Sequence, residues 1–421
     1  MKLQDLENKK ILLVGYGTEG KATELFLKHI FPNIHITVAD KSQGENYLAK
    51  QSEFDVAIKS PGVQKSLITI PYTTATNLFF QNVKGITIGI TGSKGKSTTS
   101  SLIYTILKQA NKKVHLVGNI THKEDKIGSP MLSELLVSNT SEDIWVIELS
   151  SFMLDDIVYS PHISVFTSFF PEHMDYHKTV ENYFEAKSHI IEQATASDFF
   201  VYNSEFPELQ SLANISKAKP VPFISQLPFA QKDIPLVGEH NISNVKAALT
   251  VAKILEIPTE IMHDAVKGFH ALPHRLEHVG TFNGITFYDD AISTTPQSTI
   301  EAIKALPAIG TIFLGGQDRG YNFFELAQVI ADADIENLVL FPESGEKIFD
   351  EVSKVSNKQY TILQTRSMEE AVAFAYKNTP QNTICLLSTA SPSYTVWKNF
   401  EEKGNLFKYF VKKISKNFIE K

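Results

Sequence analysis

The sequence has a single cysteine, Cys385, among 421 residues. One thiol excludes an intramolecular disulfide and any metal site built from several cysteines. Cys385 lies in the apolar run 383–387. We therefore interpret it as a small buried hydrophobic residue rather than a nucleophile.

Long apolar runs and a strong net charge are also missing. No apolar stretch approaches the roughly 18 residues that a membrane span requires, and the charged N-terminus lacks the apolar core of a signal peptide. These features predict a cytoplasmic protein without membrane contact. The net charge of −7 argues against a general nucleic-acid binder, so anionic ligands would need local binding sites.

Short apolar runs alternate with helical stretches along the chain, which predicts mostly parallel sheets covered by helices, an α/β fold. The pattern restarts twice after its beginning, so we expect three α/β domains, at residues 1–84, 85–270 and 271–421. For the C-terminal stretch 407–421 we favour a solvated helix packed on one face over a membrane or nucleic-acid contact. The predicted strands are 11–14, 34–39, 86–90, 114–117, 144–149, 163–166, 285–288, 311–314, 338–341 and 384–387.

The segment TGSKGKST at 91–98 is the most specific signal. An apolar strand leads into a glycine-bearing turn and a helix that opens at Lys96, an arrangement that lets backbone N–H groups close on phosphate oxygens. Lys96 would reach the β- and γ-phosphates, and the Ser97 hydroxyl would hold Mg²⁺. Ile90 replaces the first glycine of the usual GxxxxGK[ST] spacing. The segment predicts an ATP site made of Gly92, Ser93, Lys94, Gly95, Lys96, Ser97 and Thr98.

Polar residues follow two further predicted strands of the same region. Glu148 ends an apolar strand, where an acid at the carboxyl edge of the sheet can bind Mg²⁺ or position water, or can simply be solvated. His173 and His177 follow the next strand; either could bind a second metal ion or act as a base, or be an ordinary loop residue. Lys187 lies on a predicted helix over 180–194, where a lone lysine is usually solvated.

The N-terminal segment Gly15-Tyr-Gly17-Thr-Glu-Gly20 follows a strand and precedes a helix, and Asp40 closes the next strand. This is the dinucleotide-binding fingerprint. It indicates that a phosphorylated or ribose-bearing ligand can approach the backbone. A nicotinamide cofactor and a nucleotide-sugar diphosphate both fit that description.

Taken in order, these segments resemble the Mur ligases of peptidoglycan synthesis over essentially the whole chain, and within them the glutamate-adding branch. The matching segments are TGSKGKSTT, GNI, ELSSF, EHMD, AK, GEHNISN, LPHRLE, GGQDRG and the C-terminal LLSTASPS with FEEKGNLF. The resemblance implies a Rossmann-like uridine-binding domain, a central ATPase domain and a Rossmann-like C-terminal domain that brings the amino acid.

The resemblance also implies roles for single residues. His173 would bind the second Mg²⁺, and Lys187 would react with CO₂ to become a carbamate. The metal ligands would be Ser97, Glu148, His173 and the carbamate of Lys187. Asn241 and Asn244 would contact adenine, and Arg275 and Asp290 would contact ATP. The UDP-substrate would be bound by Gly15, Gly17, Gly20, Asp40, Ser60, Gly62, Asn119, Ser150 and Ser151.

The implied reaction joins glutamate to UDP-N-acetylmuramoyl-L-alanine with ATP, through an acyl phosphate. The amino-acid site is where the chain departs from the family. Ile292 replaces a lysine, Arg319 replaces another lysine, Thr395 replaces an aspartate, and Met153 stands where many relatives have glutamine. We interpret these changes as altered amino-acid recognition, with D-glutamate favoured over L-glutamate. The predicted amino-acid contacts are Thr294, Arg319, Ser393 and Phe400.

Three other classes are alternatives. A folylpolyglutamate synthetase shares the reaction type but lacks an N-terminal glycine-rich domain of this kind. An NAD-dependent dehydrogenase would explain Gly15, Gly17 and Gly20 but leaves the phosphate loop unexplained. A regulatory protein on a ligase scaffold would be expected to lose some of the site residues. We expect a monomer that binds small molecules.

Overall fold

The computed structural model describes residues 1–120 and 129–416 of the chain. Its strands form three sheets, of four, six and six strands, and nearly all strand pairs are parallel. Helices connect the strands, so the prediction of an α/β fold is confirmed. No helix among the described residues has the length and apolar composition needed to span a membrane.

The chain divides into two compact units. The first comprises Met1–Ile234 and Ser243–Phe269, and the second comprises Pro235–Ile242 and the described residues of His270–Lys421. The first unit contains the four-stranded sheet and one six-stranded sheet, and the second contains the other six-stranded sheet. The domain boundaries near residues 84 and 270 stay predictions.

The N-terminal sheet has the strand order β2-β1-β3-β4 and is parallel throughout. Residues 11–14 of β1 are buried, as expected for a strand covered on both faces. Its strands are Lys10–Val14 (β1), His35–Ala39 (β2), Val56–Lys59 (β3) and Tyr72–Thr74 (β4), and its helices are Thr18–Ile30 (α1) and Ala75–Asn82 (α2).

The central sheet has the order β10-β9-β8-β5-β7-β6 and is also parallel throughout. Its strands are Ile86–Thr91 (β5), Val114–Gly118 (β6), Ile144–Glu148 (β7), Ile163–Phe166 (β8), Phe199–Tyr202 (β9) and Lys219–Pro222 (β10). The helices are Lys96–Gln109 (α3), Met131–Val137 (α4), Ser151–Leu154 (α5), Met174–His177 (α6), Val180–Ser188 (α7), Pro207–Ile215 (α8), Glu239–Ile254 (α9) and Thr259–Lys267 (α10).

The third sheet has the order β11-β12-β16-β13-β14-β15, in which β11 alone is antiparallel to its neighbour. Cys385 of β16 is fully buried, as predicted. The strands are Glu277–Phe282 (β11), Ile285–Asp289 (β12), Ile309–Gly315 (β13), Asn337–Phe341 (β14), Thr361–Gln364 (β15) and Ile384–Leu387 (β16). The helices are Pro296–Ala305 (α11), Phe324–Asp332 (α12), Ser344–Val355 (α13), Met368–Asn378 (α14) and Phe400–Lys416 (α15).

One predicted helix is shorter in the structure. The helix expected over 180–194 ends at Ser188, and His189–Ile191 forms a short 3₁₀ turn. The hydroxyl of Ser164 in β8 donates to the Ile190 carbonyl of this turn at 3.1 Å. The C-terminal stretch predicted as a helix lies within α15 up to Lys416, and its last five residues lie outside the described residues.

The N-terminal and central sheets share one compact unit because side chains connect them. Lys59, at the end of β3, forms a buried ion pair with Asp156 at 2.7 Å. The Tyr72 hydroxyl also donates to Asp156, at 2.8 Å, and the Asn77 amide donates to the Asp156 carbonyl at the same distance. The rings of Phe79 and Trp145 add an apolar contact, edge to face at 5.3 Å.

We predict that Asp156→Ala destabilises the first unit by about 3–5 kcal/mol, because it leaves the ammonium of Lys59 buried without its partner. Thermal and denaturant unfolding would measure the change. Lys65→Ala is the matched control: it removes the neighbouring ion pair to Asp155, whose lysine side chain is 51% exposed, and should cost less than about 1 kcal/mol. Equal effects of the two variants would contradict the structural role of Asp156.

Candidate active site

The predicted phosphate loop connects β5 to α3. Gly95, the residue before the helix, has a left-handed backbone with φ of 85°. A Cβ atom there would lie 2.3 Å from the Asn244 side-chain oxygen, so only glycine fits. The loop ends at the N-terminus of α3, where backbone N–H groups and the helix dipole favour a phosphate.

The end of β8 holds this loop in place. The Ser93 N–H donates to the Ser168 carbonyl at 2.8 Å, and the Lys94 N–H donates to the Ser168 hydroxyl at 2.9 Å. The Ser93 hydroxyl donates to the Phe170 carbonyl at 2.7 Å. Sequence reasoning missed these supporting residues; the available signal was a pair of hydroxyl residues, Thr167 and Ser168, directly after an apolar strand.

Two lysines converge on one carbonyl of the loop. The Lys96 ammonium donates to the carbonyls of Gly92 at 2.8 Å and Ser93 at 2.9 Å. The Lys187 amine donates to the same Gly92 carbonyl at 2.8 Å, although it comes from α7. Lys187 is 1% exposed, and its amine lies 4.8 Å from the centre of the Tyr183 ring. The residue is therefore buried inside the site, contrary to the usual position of a helical lysine.

The chemical state of Lys187 follows from this position. Burial lowers the pKa of its amine well below the ordinary value, and the nearby charge of Lys96 lowers it further, against the smaller opposing effects of Glu172 and Glu148. A neutral lysine amine is a nucleophile, whereas the ammonium is not. The lowered pKa thus increases the fraction of Lys187 in the neutral form that can react with CO₂.

Glu148 ends β7 and is 2% exposed. One carboxylate oxygen accepts from the Asn119 amide at 3.1 Å, and the other has no hydrogen-bond partner among the described residues. A buried carboxylate oxygen without a partner is costly, and it matches the oxygen ligands that Mg²⁺ prefers. Asn119, predicted to contact the substrate, orients this carboxylate in the structure.

The two histidines after β8 differ in their surroundings. Burial, Lys96 and Lys187 lower the pKa of the His173 imidazole, while Glu172 opposes them, so the neutral metal-binding form is favoured. His177 is buried, and its Nε2 atom lies 3.0 Å from the Ser151 hydroxyl. His177 is thus engaged within the protein, which favours His173 as the metal ligand.

Two of the predicted metal ligands, Ser97 and Glu148, offer the oxygen atoms that Mg²⁺ prefers, whereas the imidazole of His173 is a less usual magnesium ligand. Ser97 is buried at the second position of α3, Glu148 offers an unpaired oxygen, and His173 favours its neutral form.

Glu172, which sequence reasoning did not single out, pairs with Lys94 at 2.6 Å. Burial raises the pKa of this carboxyl, but Lys94 and Lys96 outweigh that effect and lower it. Glu172 is therefore ionised beside the phosphate loop.

The N-terminal glycine loop lies at the carboxyl edge of the first sheet. Gly15 has φ of 87°, and a Cβ atom there would lie 2.8 Å from Ser60, whose hydroxyl donates to the Gly15 carbonyl at 3.0 Å. Asp40 accepts from the Tyr16 N–H at 2.7 Å. Hydrogen bonds from Ser42, then from Tyr16, lower the pKa of Asp40 to about 2.

The structure thus brings Gly15, Ser60 and Asp40 together at the ends of three neighbouring strands. A Cβ atom at Gly17 or Gly62 would meet no atom within 4 Å, so both glycines leave open space. Gly20 is required by packing, since its Cβ atom would lie 2.3 Å from the Gly15 carbonyl oxygen. Ser150 lies shortly after β7 of the central sheet, where it is the N-cap residue of α5.

Several predicted ATP and amino-acid contacts belong to the second unit. Asp290, after β12, is buried; it accepts from the Ser388 hydroxyl at 2.7 Å, and burial raises the pKa of its carboxyl to about 6. The Asn241 amide donates to the Val237 carbonyl at 2.8 Å. The other residues of this set are Arg275, Thr294, Arg319, Ser393 and Phe400.

Comparison with known proteins identifies the family. Residues 90–233 match the Mur ligase middle domain, and residues 274–390 match the Mur ligase glutamate ligase domain. The UDP-N-acetylmuramoylalanine–D-glutamate ligase of Streptococcus agalactiae serotype III is 32% identical over 95% of this chain and 96% of its own length. The chain belongs to the Mur ligase family. The Thermoanaerobacter sp. (strain X514) protein of the same name is 30% identical, over 97% of this chain and 99% of its own.

Solved structures of the Mur ligase family share the fold. The MurF ligase of Thermotoga maritima, crystallised with ADP, superposes with a TM-score of 0.64 at 15% identity, over 98% of this chain and 97% of that one. The UDP-N-acetylmuramate–alanine ligase of the same organism gives 0.62 at 16% identity, over 97% and 100%. Mur ligases are ATP-dependent enzymes that form amide bonds, so the chain is a ligase of that kind.

Proposed function

We propose that this Mur ligase adds glutamate to UDP-N-acetylmuramoyl-L-alanine, with conversion of ATP to ADP and phosphate. The observation that carries the proposal is the meeting of Lys96 and Lys187 at the Gly92 carbonyl of the phosphate loop. A loop that contacts the Lys96 ammonium and a buried lysine amine of lowered pKa suits a site for phosphoryl transfer that also holds a carbamate. The relatives' names support D-glutamate as the amino acid.

In the first step, the alanyl carboxylate of the substrate attacks the γ-phosphorus of ATP. The carboxylate oxygen forms a bond to phosphorus, and the bond to the β-γ bridging oxygen breaks, which releases ADP. The N–H groups of the loop and the start of α3 would stabilise the charge on the phosphates. Lys96 would exchange the carbonyls of Gly92 and Ser93 for phosphate oxygens.

Magnesium would be held by Ser97, Glu148, His173 and a carbamate on Lys187, and when bound it neutralises the charge of the phosphate oxygens. Asn119 keeps one oxygen of Glu148 occupied and so fixes the direction of the other. In the reaction of the Lys187 amine with CO₂ the nitrogen bonds to carbon and releases a proton, which converts a lysine beside Lys96 into an anion. That conversion removes a repulsion and adds an oxygen ligand.

In the second step, the amino group of glutamate attacks the carbonyl carbon of the acyl phosphate. The C–N bond forms, the C–O bond to the phosphoryl group breaks, and inorganic phosphate leaves with the electron pair of that bond, while the nitrogen releases one proton to the solvent. Recognition of glutamate would use Thr294, Arg319, Ser393 and Phe400. Adenine would be contacted by Asn241 and Asn244, and the rest of ATP by Arg275 and Asp290. The muramoyl part of the substrate would be contacted by Ser150 and Ser151. The UDP part would be bound by Gly15, Gly17, Gly20, Asp40, Ser60 and Gly62.

The alternatives are less well supported. The E. coli FolC protein, solved with DHPP and ADP, shares the fold at a TM-score of 0.57 and 14% identity, over 82% of this chain. By contrast, the muramoylalanine ligases match nearly the full chain at 30–32% identity. Family membership leaves the dehydrogenase interpretation of the N-terminal glycines without support. The cytoplasmic location and the monomeric state stay predictions.

We predict that phosphate release requires UDP-N-acetylmuramoyl-L-alanine, ATP and glutamate together, and that D-glutamate is used in preference to L-glutamate. A steady-state phosphate assay with each enantiomer measures this directly.

Lys96→Ala should reduce the rate by at least about 100–1000-fold while the melting temperature stays unchanged, because it removes a donor to the transferring phosphoryl group. Exclusive use of L-glutamate would identify the other stereochemical branch; no release with either enantiomer would refute the proposed function.

We predict that carbon-13-labelled bicarbonate gives a carbamate signal in the wild-type protein and in Lys253→Arg, an exposed control, but not in Lys187→Arg. The signal should grow as the pH rises at fixed dissolved CO₂, because deprotonation of the Lys187 ammonium supplies the reacting amine. Lys187→Arg should also lose turnover, since a guanidinium stays charged. An unchanged signal in Lys187→Arg would place the carbamate elsewhere.

A further inference from the structure

Arginine is rare in this chain. Only Arg275, Arg319 and Arg366 occur among its 40 lysines and arginines. All three belong to the second unit. Arginine binds carboxylates through paired N–H groups in a way that lysine cannot reproduce. Roles are proposed above for Arg275 and Arg319, which leaves Arg366 without an assignment.

Arg366 follows β15 by two residues, at the carboxyl edge of the third sheet. Its guanidinium donates from Nη2 to the Thr395 carbonyl at 3.1 Å. Its remaining N–H groups have no acceptor, and its charge has no carboxylate partner, within the part of the chain that the structure describes. The guanidinium is exposed and can therefore accept a ligand carboxylate.

The loop that Arg366 contacts carries buried hydroxyl groups without partners. The Ser393 hydroxyl and the Thr395 hydroxyl are both closed to solvent and make no hydrogen bond to any described residue. Ser393 as a whole is 3% exposed. Buried hydroxyls in folded proteins normally have partners, so an unpartnered one close to an unpaired cation indicates a polar ligand.

This loop is also connected to the one that bears Arg319. The Gln317 N–H donates to the Pro392 carbonyl at 2.7 Å. Gly316 lies so close to the same carbonyl that a Cβ atom would be 2.3 Å from its oxygen. The loop 388–395 is therefore contacted by Arg366 and, through Gln317, by the segment that carries Arg319.

We propose that Arg366 is a specificity-determining residue that binds the side-chain carboxylate of the incoming glutamate, together with the Ser393 hydroxyl. The proposal rests on the proposed function, since it presumes glutamate as the amino acid. Arg319 remains available for the other carboxylate. Arg366 therefore discriminates glutamate from glutamine, which has the same shape but no side-chain charge.

The test is steady-state kinetics of the full chain with Arg366→Ala, Arg366→Gln and Arg366→Lys. We expect the KM for glutamate to rise about 10–100-fold in the Ala and Gln variants, as for loss of a charged hydrogen bond. The Lys variant should recover part of this loss. The KM values for ATP and UDP-N-acetylmuramoyl-L-alanine should stay unchanged, and the preference for glutamate over glutamine should narrow. Lys354→Ala, at an exposed lysine of the same unit, is the control.

The role of Arg366 would be overturned if the KM for glutamate were unchanged in all three variants, or if the KM values for all three substrates rose equally. In either case, turnover by the wild-type protein would still establish the ligase activity. Loss of folding is not expected because the side chain is exposed, and melting temperatures would check this. Absence of glutamate-dependent turnover in the wild type would overturn the proposed function itself, and the role of Arg366 with it.

Discussion

The contact on which the site depends is the shared hydrogen bonding of Lys96 and Lys187 to the Gly92 carbonyl. Two ammonium groups cannot be kept close together in a buried space without a cost, so the more buried one loses its proton more easily. The phosphate loop thereby acquires two different lysines. In the proposed function Lys96 serves the phosphates and Lys187 is the lysine that reacts with CO₂.

The neighbouring strands of the central sheet supply the other groups. Because β5 lies between β7 and β8, the ends of these strands meet the phosphate loop from both sides. Glu148 comes from β7, and the support for Ser93 and Lys94 comes from the segment after β8. One parallel sheet thus positions the phosphate loop, Glu148 and the residues that support the loop from segments far apart in the sequence, at the edge where such sheets bind ligands.

The sequence predicts those features that local pattern determines. Strands such as β16 were recognisable because they are apolar on both faces, and the phosphate loop because its spacing is short and specific. Lys187 could not be identified as buried from its helix alone, since its burial depends on the packing of α7 against the loop. The support from Ser168 and Phe170, the pairing of Glu172 with Lys94, and the contact of Arg366 with Thr395 depend on tertiary placement of distant segments, so they required the structure.

Positional isotope exchange tests the acyl-phosphate account most directly. ATP labelled with oxygen-18 at the β-γ bridge would be incubated with the enzyme and UDP-N-acetylmuramoyl-L-alanine, without glutamate. The account predicts that the label moves into the non-bridging positions of the β-phosphate, because ADP forms reversibly and its terminal phosphate can rotate before ATP is remade. The result that would contradict a separate acyl-phosphate step is no movement of label in an enzyme sample that catalyses the complete reaction. For that result to count, ADP must be shown to stay bound with its terminal phosphate free to rotate.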